Sequence, residues 1–432
     1  MLKNYICALD IGSSKIAACL LQLKGRRIVD ICFSCVPSRG IRKGIVTNSI
    51  ELVEAVTKAL KDLRNNSGVN IKYVYADISG PELTAKHSRA IIPLAERGNK
   101  VITPTDLRHV NEQARILGSG LEEEIIHQVP CGYTIDSSSN ILDPIGLYSH
   151  RLETDLYLIC AKVSVVQSLS RAIHQAGYEI KNLFLSGLAT SRAVFDKDST
   201  IGTDILCDIG SDITELLIFK NGVLRDIEIL GMGGADLTMR LSHELKIPYE
   251  LAEDVKISYA NIGDYDEGKE ILLKKDSSYR PIRQGLICEI VTSKAKSICS
   301  TIKERLEKKV SFSEVDNFIT SGRTVLLEGF LETLENALEI PVKLGRASYY
   351  DHKRFLSYED PQKASYRRDI HALLSKDDSW SGSKYLTFLT CLGIAYYVLD
   401  NVYPLHPPFY KPTRNLFLRA INRFREVYQE YF

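Results

Sequence analysis

The chain has 432 residues, of which 44% are hydrophobic and 25% charged, with 55 Lys+Arg against 54 Asp+Glu and a net charge of +1. That length predicts more than one packed core, and the balanced charge excludes a bulk field drawing the protein to nucleic acid. The longest uncharged run, Tyr385–Leu399, has 15 residues, whereas a spanning helix needs about 20, so a buried core helix is expected there and no bilayer span anywhere.

From the N-terminus, the apolar run Tyr5–Leu9 ends at Asp10, so no signal peptide is expected in this stretch. Asp10-Ile11-Gly12-Ser13 and the run Ile16–Leu21 follow, predicting a hairpin whose turn begins at an aspartate. Ile28–Val36 reads as a strand carrying Cys32 and Cys35. Their odd spacing points them to opposite faces, and no second pair completes a zinc site. Most of the ten cysteines, such as Cys160, Cys207 and Cys288, sit in apolar runs that suit buried, reduced thiols. Ser49–Asn65 has helical apolar spacing at Ile50, Val53, Val56, Leu60 and Leu63. Tyr73–Ile78 and Leu156–Ala161 read as strands, and Ser164–Ala176 as a further helix. The hairpin motif then recurs. Ile205–Cys207 leads into Asp208-Ile209-Gly210-Ser211, and Leu216–Phe219 follows. A third run, Phe318–Thr320, ends in a turn at Ser321-Gly322.

Two copies of Asp-Ile-Gly-Ser in one strand context predict an internally duplicated α/β protein with a nucleotide cleft between its halves. Glycine lets backbone N–H groups approach phosphate oxygens closely, and Ser13 and Ser14 add hydroxyl donors. Lys15 supplies a positive charge. Asp10 and Asp208, each ending a strand, suit a magnesium ion held through water.

The last segment has its own pattern. Pro404, Pro407, Pro408 and Pro412 make Asn401–Arg414 a linker that cannot continue a helix. After it, Phe417, Ile421, Phe424, Val427 or Tyr428, and Tyr431 form one apolar helical face, widened by Leu416 and Phe432. Arg419, Asn422, Arg423, Glu426 and Glu430 lie elsewhere on the wheel. Lys411, Arg414 and Arg425 make the tail locally basic. Such a helix either lies in a lipid headgroup region or docks on protein.

Several stretches resemble, in register, the FtsA family of bacterial cell-division proteins. They are Pro37–Gly44, Ile78-Ser79-Gly80, Asp143-Pro144-Ile145-Gly146, Arg151-Leu152-Glu153, Gly233–Thr238 and Ala252-Glu253-Asp254-Val255-Lys256. The Ile135–Gly146 pattern falls where that family carries an inserted small domain. The resemblance implies an actin-like (ribonuclease H-like) two-lobe α/β fold with an inserted α+β subdomain and a C-terminal amphipathic helix. Residues 1–82 and 164–195 would form the first lobe and 83–163 the insertion. Residues 196–241 and 318–400 would form the second lobe, with 242–317 as its smaller subdomain. The linker would be 401–414, and 415–432 the membrane helix, with Phe417, Ile421, Phe424, Tyr428, Arg419, Arg423 and Arg425 at the lipid surface.

The resemblance also implies ATP and magnesium as ligands and self-association into filaments. The protein would tether the tubulin-like ring protein FtsZ and other division proteins to the cytoplasmic face of the plasma membrane at the division site. The FtsZ contact would fall around Ser242–Asn317. Gly12, Ser13, Ser14 and Lys15 would correspond to the first phosphate loop; Gly210, Ser211 and Thr214 belong to the second, with Asp208. Glu253 and Lys256 would contact the nucleoside, although by themselves they read as an exposed helical pair. Gly322 would be the adenosine turn.

Three departures stand out. Where the family has Glu-Pro-Leu/Ile-Ala this chain has Ser186-Gly187-Leu188-Ala189, and a serine is too short and too poor an acceptor to orient an attacking water. Asp212 in the second loop would oppose phosphate if it faced inward without a metal. Ser321 replaces the first glycine of the adenosine turn. Together they predict ATP binding with weak or absent hydrolysis. Arg346–Lys384, longer than the family usually shows, reads as a surface loop. Other superfamily roles, a sugar-kinase or chaperone-type ATPase or a pilus-assembly scaffold, would need a catalytic carboxylate or dispense with the terminal helix.

Overall fold

The computed structural model describes residues 5–25, 27–95, 98–136, 138–195, 202–263, 265, 269–275, 278–347, 361–375 and 382–402. The amphipathic helix expected at 415–432 lies outside the described residues.

Two five-stranded sheets have the same topology. In the first, Tyr5–Ile11 pairs antiparallel with Lys15–Lys24, which pairs with Arg27–Pro37. On its other side Tyr5–Ile11 runs parallel to Tyr73–Ile78, and that strand to Glu179–Leu185. In the second, Thr203–Ile209 heads the meander through Thr214–Lys220 to Val223–Leu230. It runs parallel to Val315–Ser321, which is followed by Val342–Leu344. The duplication read from the two motifs therefore extends through ten strands. The central strands are buried on both faces, so their sequences are near-continuous apolar runs.

Helices cover the sheets. Ser49–Ser67 starts where the Asn48 side chain accepts the Ile50 and Glu51 N–H groups, and it ends at Gly68. It buries Leu52, Val56, Leu60 and Leu63 on one side. The Gly382–Val402 helix, expected as buried, carries Leu389, Leu392, Ile394 and Leu399 into the core. It packs on the Ser186–Val194 helix, with Gly393 against the Ala189 carbonyl, where no side chain fits. No described helix is long and apolar enough to cross a membrane.

Between the first lobe's strands lies a separate unit. Leu83–Pro93, Arg151–Lys162, Glu123–Ile135 and Ser138–Ile141 form a sheet under the Pro104–Gly118 helix, around a core of its own containing Val110, Ala114, Leu152, Leu156 and Leu158.

The structure corrects one expectation. Part of the Arg346–Lys384 stretch is a helix, Pro361–Leu374, in which Tyr366, Ile370 and Leu374 are buried. It docks on Arg27–Pro37, and Asp369 accepts the Ile28 N–H at 3.1 Å. Three apolar residues at four-residue spacing are enough for a docked helix even in a polar stretch.

Candidate functional site

The two motifs fold into the same turn. Gly12 N–H donates to the Lys15 carbonyl at 3.0 Å, and Gly210 N–H to the Ile213 carbonyl at 2.9 Å. A Cβ on either glycine would crowd that carbonyl, at 3.2 and 3.0 Å, so both turn backbones stay bare. The turns face each other across a cavity of about 800 Å³ between the lobes. Asp10, Gly12, Ser13, Ser14 and Lys15 line it from the first lobe, and Asp208, Gly210, Ser211, Glu253, Lys256 and Gly322 from the second. Ser186 is on its wall as well. Thr214 is not brought there. Its hydroxyl donates to the Met232 carbonyl at 2.9 Å, inside the second lobe.

Charge in the cleft is mostly acidic at its base. Lys15 is paired with Asp10. Burial disfavours the Lys15 charge, but Asp10 outweighs it and holds the ammonium pKa above its ordinary value. Burial pushes the Asp208 carboxyl up to about 6. Burial, reinforced by the charge on Asp10, pushes Asp77 up to about 8. Burial likewise pushes Glu215 up to about 8. No group of three or more metal-ligating side chains forms among the described residues. Asp10 and Asp208 instead end equivalent strands on opposite walls, an arrangement that fits a magnesium ion held through water better than a closed protein cage. The bare turns, two serines and Lys15 fit a phosphorylated ligand.

Glu253 and Lys256 are not an exposed pair. Lys256 is 9% exposed, and its ammonium donates to Glu253 at 2.7 Å, to Thr238 Oγ1 at 2.8 Å and to the Gly234 carbonyl at 3.2 Å. Burial lowers its pKa. The pair holds the Tyr249–Tyr259 helix against the start of Gly234–Leu245 at the cavity rim.

Asp212 borders the cavity, but its carboxylate is already engaged. It is buried against Arg42 Nε at 2.8 Å and accepts the Lys43 N–H at 3.2 Å, so its charge is balanced across the lobes.

Residues that motif reading overlooked form the floor. Asp77 accepts the Ile11 N–H at 2.7 Å and the Ser186 hydroxyl at 2.6 Å. Glu215, opposite Asp208 in the hairpin register, accepts from the Ser79 hydroxyl and the Gly187 N–H of the other lobe. The available signal was one acidic residue within each of two largely apolar strands, Asp77 in Tyr73–Ile78 and Glu215 in Thr214–Lys220, because buried carboxylates are rare without a purpose.

Comparison with known proteins places this architecture. Residues 205–366 match the family model described as cell division protein FtsA, and residues 80–160 the model of the SHS2 domain inserted in FtsA. A cell division protein FtsA of Neisseria meningitidis serogroup B is 26% identical over 350 residues, 79% of this chain and 84% of the relative. Among solved structures, a type IV pilus biogenesis complex (PilM–PilN) superposes with a TM-score of 0.57 at 16% identity, covering 91% of this chain and 98% of that one. MreB5 of Spiroplasma citri, solved bound to ADP, gives 0.50 at 11% identity, covering 93% and 99%. Those identities establish the actin-like fold and no more. The matched insertion and the curated relatives favour a division protein over a pilus scaffold. The chain is a divergent member of the FtsA family of cell-division proteins.

Proposed function

We propose that this protein binds ATP with magnesium in the cleft, assembles into filaments, and tethers the FtsZ ring and other division proteins to the cytoplasmic face of the membrane at the division site. One observation carries the nucleotide reading: the two glycine turns and Lys15 open on one cavity, with Asp10 and Asp208 on its walls. In this reading Ser13, Ser14 and Lys15 hold the phosphates and Glu253 and Lys256 border the nucleoside. Gly322, whose φ of +86° holds the chain tight against the Ile209 carbonyl, shapes the base pocket. Magnesium, when bound, would neutralise phosphate charge. Arg323 reaches from the second lobe to Ser14 Oγ at 3.1 Å, so an occupied cleft is expected to draw the lobes together.

The domain limits proposed are those the family resemblance implies, with 83–163 as the insertion and 242–317 as the smaller subdomain of the second lobe, the expected side for FtsZ. Membrane attachment is assigned to 415–432 through Phe417, Ile421, Phe424 and Tyr428, aided by Arg419, Arg423 and Arg425.

The test is co-sedimentation of the full chain with vesicles containing anionic lipid, with and without FtsZ, beside a chain ending at Arg414. Loss of vesicle binding on truncation is expected, and FtsZ should pellet only with the full chain. Equal binding by the truncated chain would remove the tether. A Kd for ATP in the micromolar range is expected, and absence of binding would make the cleft a relic.

A further inference from the structure

The loss of the family's glutamate at Ser186 leaves the cleft, by sequence, without a group to hold an attacking water. The structure supplies one. Ser186 opens the Ser186–Val194 helix on the cavity wall, and its hydroxyl donates to Asp77 Oδ2 at 2.6 Å. Asp77 lines the same cavity and is fixed from behind by the Ile11 N–H at 2.7 Å. A lone serine divides its oxygen between donating and accepting. Once its proton is committed to a carboxylate, its lone pairs are free to accept from water.

We propose that Ser186 and Asp77 act as one unit in place of the glutamate: Ser186 Oγ contacts the water that attacks the terminal phosphate of a bound nucleoside triphosphate, and Asp77 is the positioning residue behind it. This rests on the nucleotide reading of the cleft and reverses two expectations from sequence, that a serine at 186 cannot orient the attacking water and that hydrolysis is therefore weak or absent. In the step, the water oxygen bonds to the γ-phosphorus as the bond from that phosphorus to the β–γ bridging oxygen breaks. The water proton passes to Ser186 Oγ while the serine proton passes to Asp77, and the proton is then released. The products are nucleoside diphosphate and inorganic phosphate, and nothing is oxidised. Glu215 is a weaker candidate, since its carboxyl bridges the lobes, binding the Ser79 hydroxyl and a backbone N–H.

The experiment measures ATP affinity and steady-state hydrolysis of the full-length chain with magnesium, for wild type, D77N, S186A, D77N/S186A and D77N/S186E. Wild type is expected to turn over. D77N and S186A should each lose tenfold or more in kcat at unchanged KM. The double D77N/S186A should lose no more than the worse single, and D77N/S186E should recover to within tenfold of wild type. An equilibrium readout accompanies these. ADP with fluoroaluminate, a mimic of the transferring phosphoryl group with its water, should bind wild type at least tenfold more tightly than ADP alone, and D77N should lose that gain while keeping its ADP affinity. Should D77N not fold, S186A and the fluoroaluminate comparison decide. Wild type that binds ATP without hydrolysing it overturns the proposal, as does D77N with wild-type kcat or a loss found in E215Q instead. Wild type that binds no nucleotide overturns the nucleotide reading itself.

Discussion

Arg42 Nε lies 2.8 Å from Asp212 Oδ2 and ties the first lobe to the second-lobe turn. The carboxylate side is 2% exposed and the guanidinium side 47%, so the pair is only partly screened. Lys43 N–H donates to the same carboxylate. R42A would leave a buried carboxylate with one backbone donor, a penalty of about 1–3 kcal/mol. Much of it is relieved if the lobes part and water reaches Asp212. The expected result is a larger radius of gyration by solution scattering in the nucleotide-free chain, with faster nucleotide release, by about tenfold for each 1.4 kcal/mol. Unchanged scattering and release would show that this pair does not hold the cleft.

Glu215 makes the same junction from the other side, and its sign with pH can be worked out. Its folded pKa, about 8, stands above the ordinary carboxyl value of 4.5 because burial disfavours the charge. The folded state therefore holds a proton that the unfolded state releases. This contribution is fully present below about pH 4.5 and is lost as pH rises through 8. E215Q keeps an acceptor for the Gly187 N–H without the titration. The melting temperature of wild type relative to E215Q should fall steadily from pH 5 to pH 8, and a constant difference would refute the protonated Glu215.

Much of the fold was legible because its signals are local. A glycine turn between two apolar runs specifies a hairpin whatever surrounds it, and both Asp-Ile-Gly-Ser turns formed. Tyr73–Ile78 formed with the bounds its apolar run suggests. The floor of the cleft was not legible in the same way. Ser186 and Asp77 are 109 residues apart, and Ser79 and Glu215 are 136 apart, so only tertiary packing brings them together. Lys256 shows the same limit: helix spacing by itself suggests an exposed pair, and only docking of two helices buries it. Asp212 illustrates the converse, a charge that adjoins the second glycine turn in sequence but whose partner is Arg42.

Gly322 and Gly68 offer a controlled comparison. Both have positive φ, +86° and +67°. A Cβ on Gly68 meets nothing within 4 Å, whereas one on Gly322 would collide with the backbone of Ile209 and approach Asp208. G68A should therefore cost only the left-handed backbone penalty, about 1 kcal/mol. G322A adds a clash that must displace the second-lobe turn and should cost about 1–3 kcal/mol more. Chemical denaturation measures both. Nucleotide affinity should drop in G322A alone, and equal effects on stability and affinity would remove Gly322 from the cleft's architecture.

His127 should govern the acid limit of stability. Its ring is buried against Phe184 and Tyr397, and Nε2 accepts the Leu185 N–H at 2.9 Å, which requires the neutral form. Burial, helped by the charge of Arg192, lowers its pKa from 6.5 to about 4. Between those values the unfolded chain binds a proton that the folded chain refuses. The stability this provides is present above pH 6.5 and is lost as pH falls toward 4. A shift of that size corresponds to about 3 kcal/mol as a ceiling. The direction is opposite to that of Glu215, so the two offset each other where their windows overlap, between about pH 4.5 and 6.5, and their joint contribution falls off below that range through His127 and above it through Glu215. H127Q keeps an oxygen to accept the Leu185 N–H but does not titrate. It should be somewhat less stable than wild type at pH 7.5, and the gap should close or invert by pH 5. Denaturant melts across that range decide it: parallel pH profiles for the two chains would mean that His127 accommodates its charge in place, and the acid transition would then have to originate elsewhere.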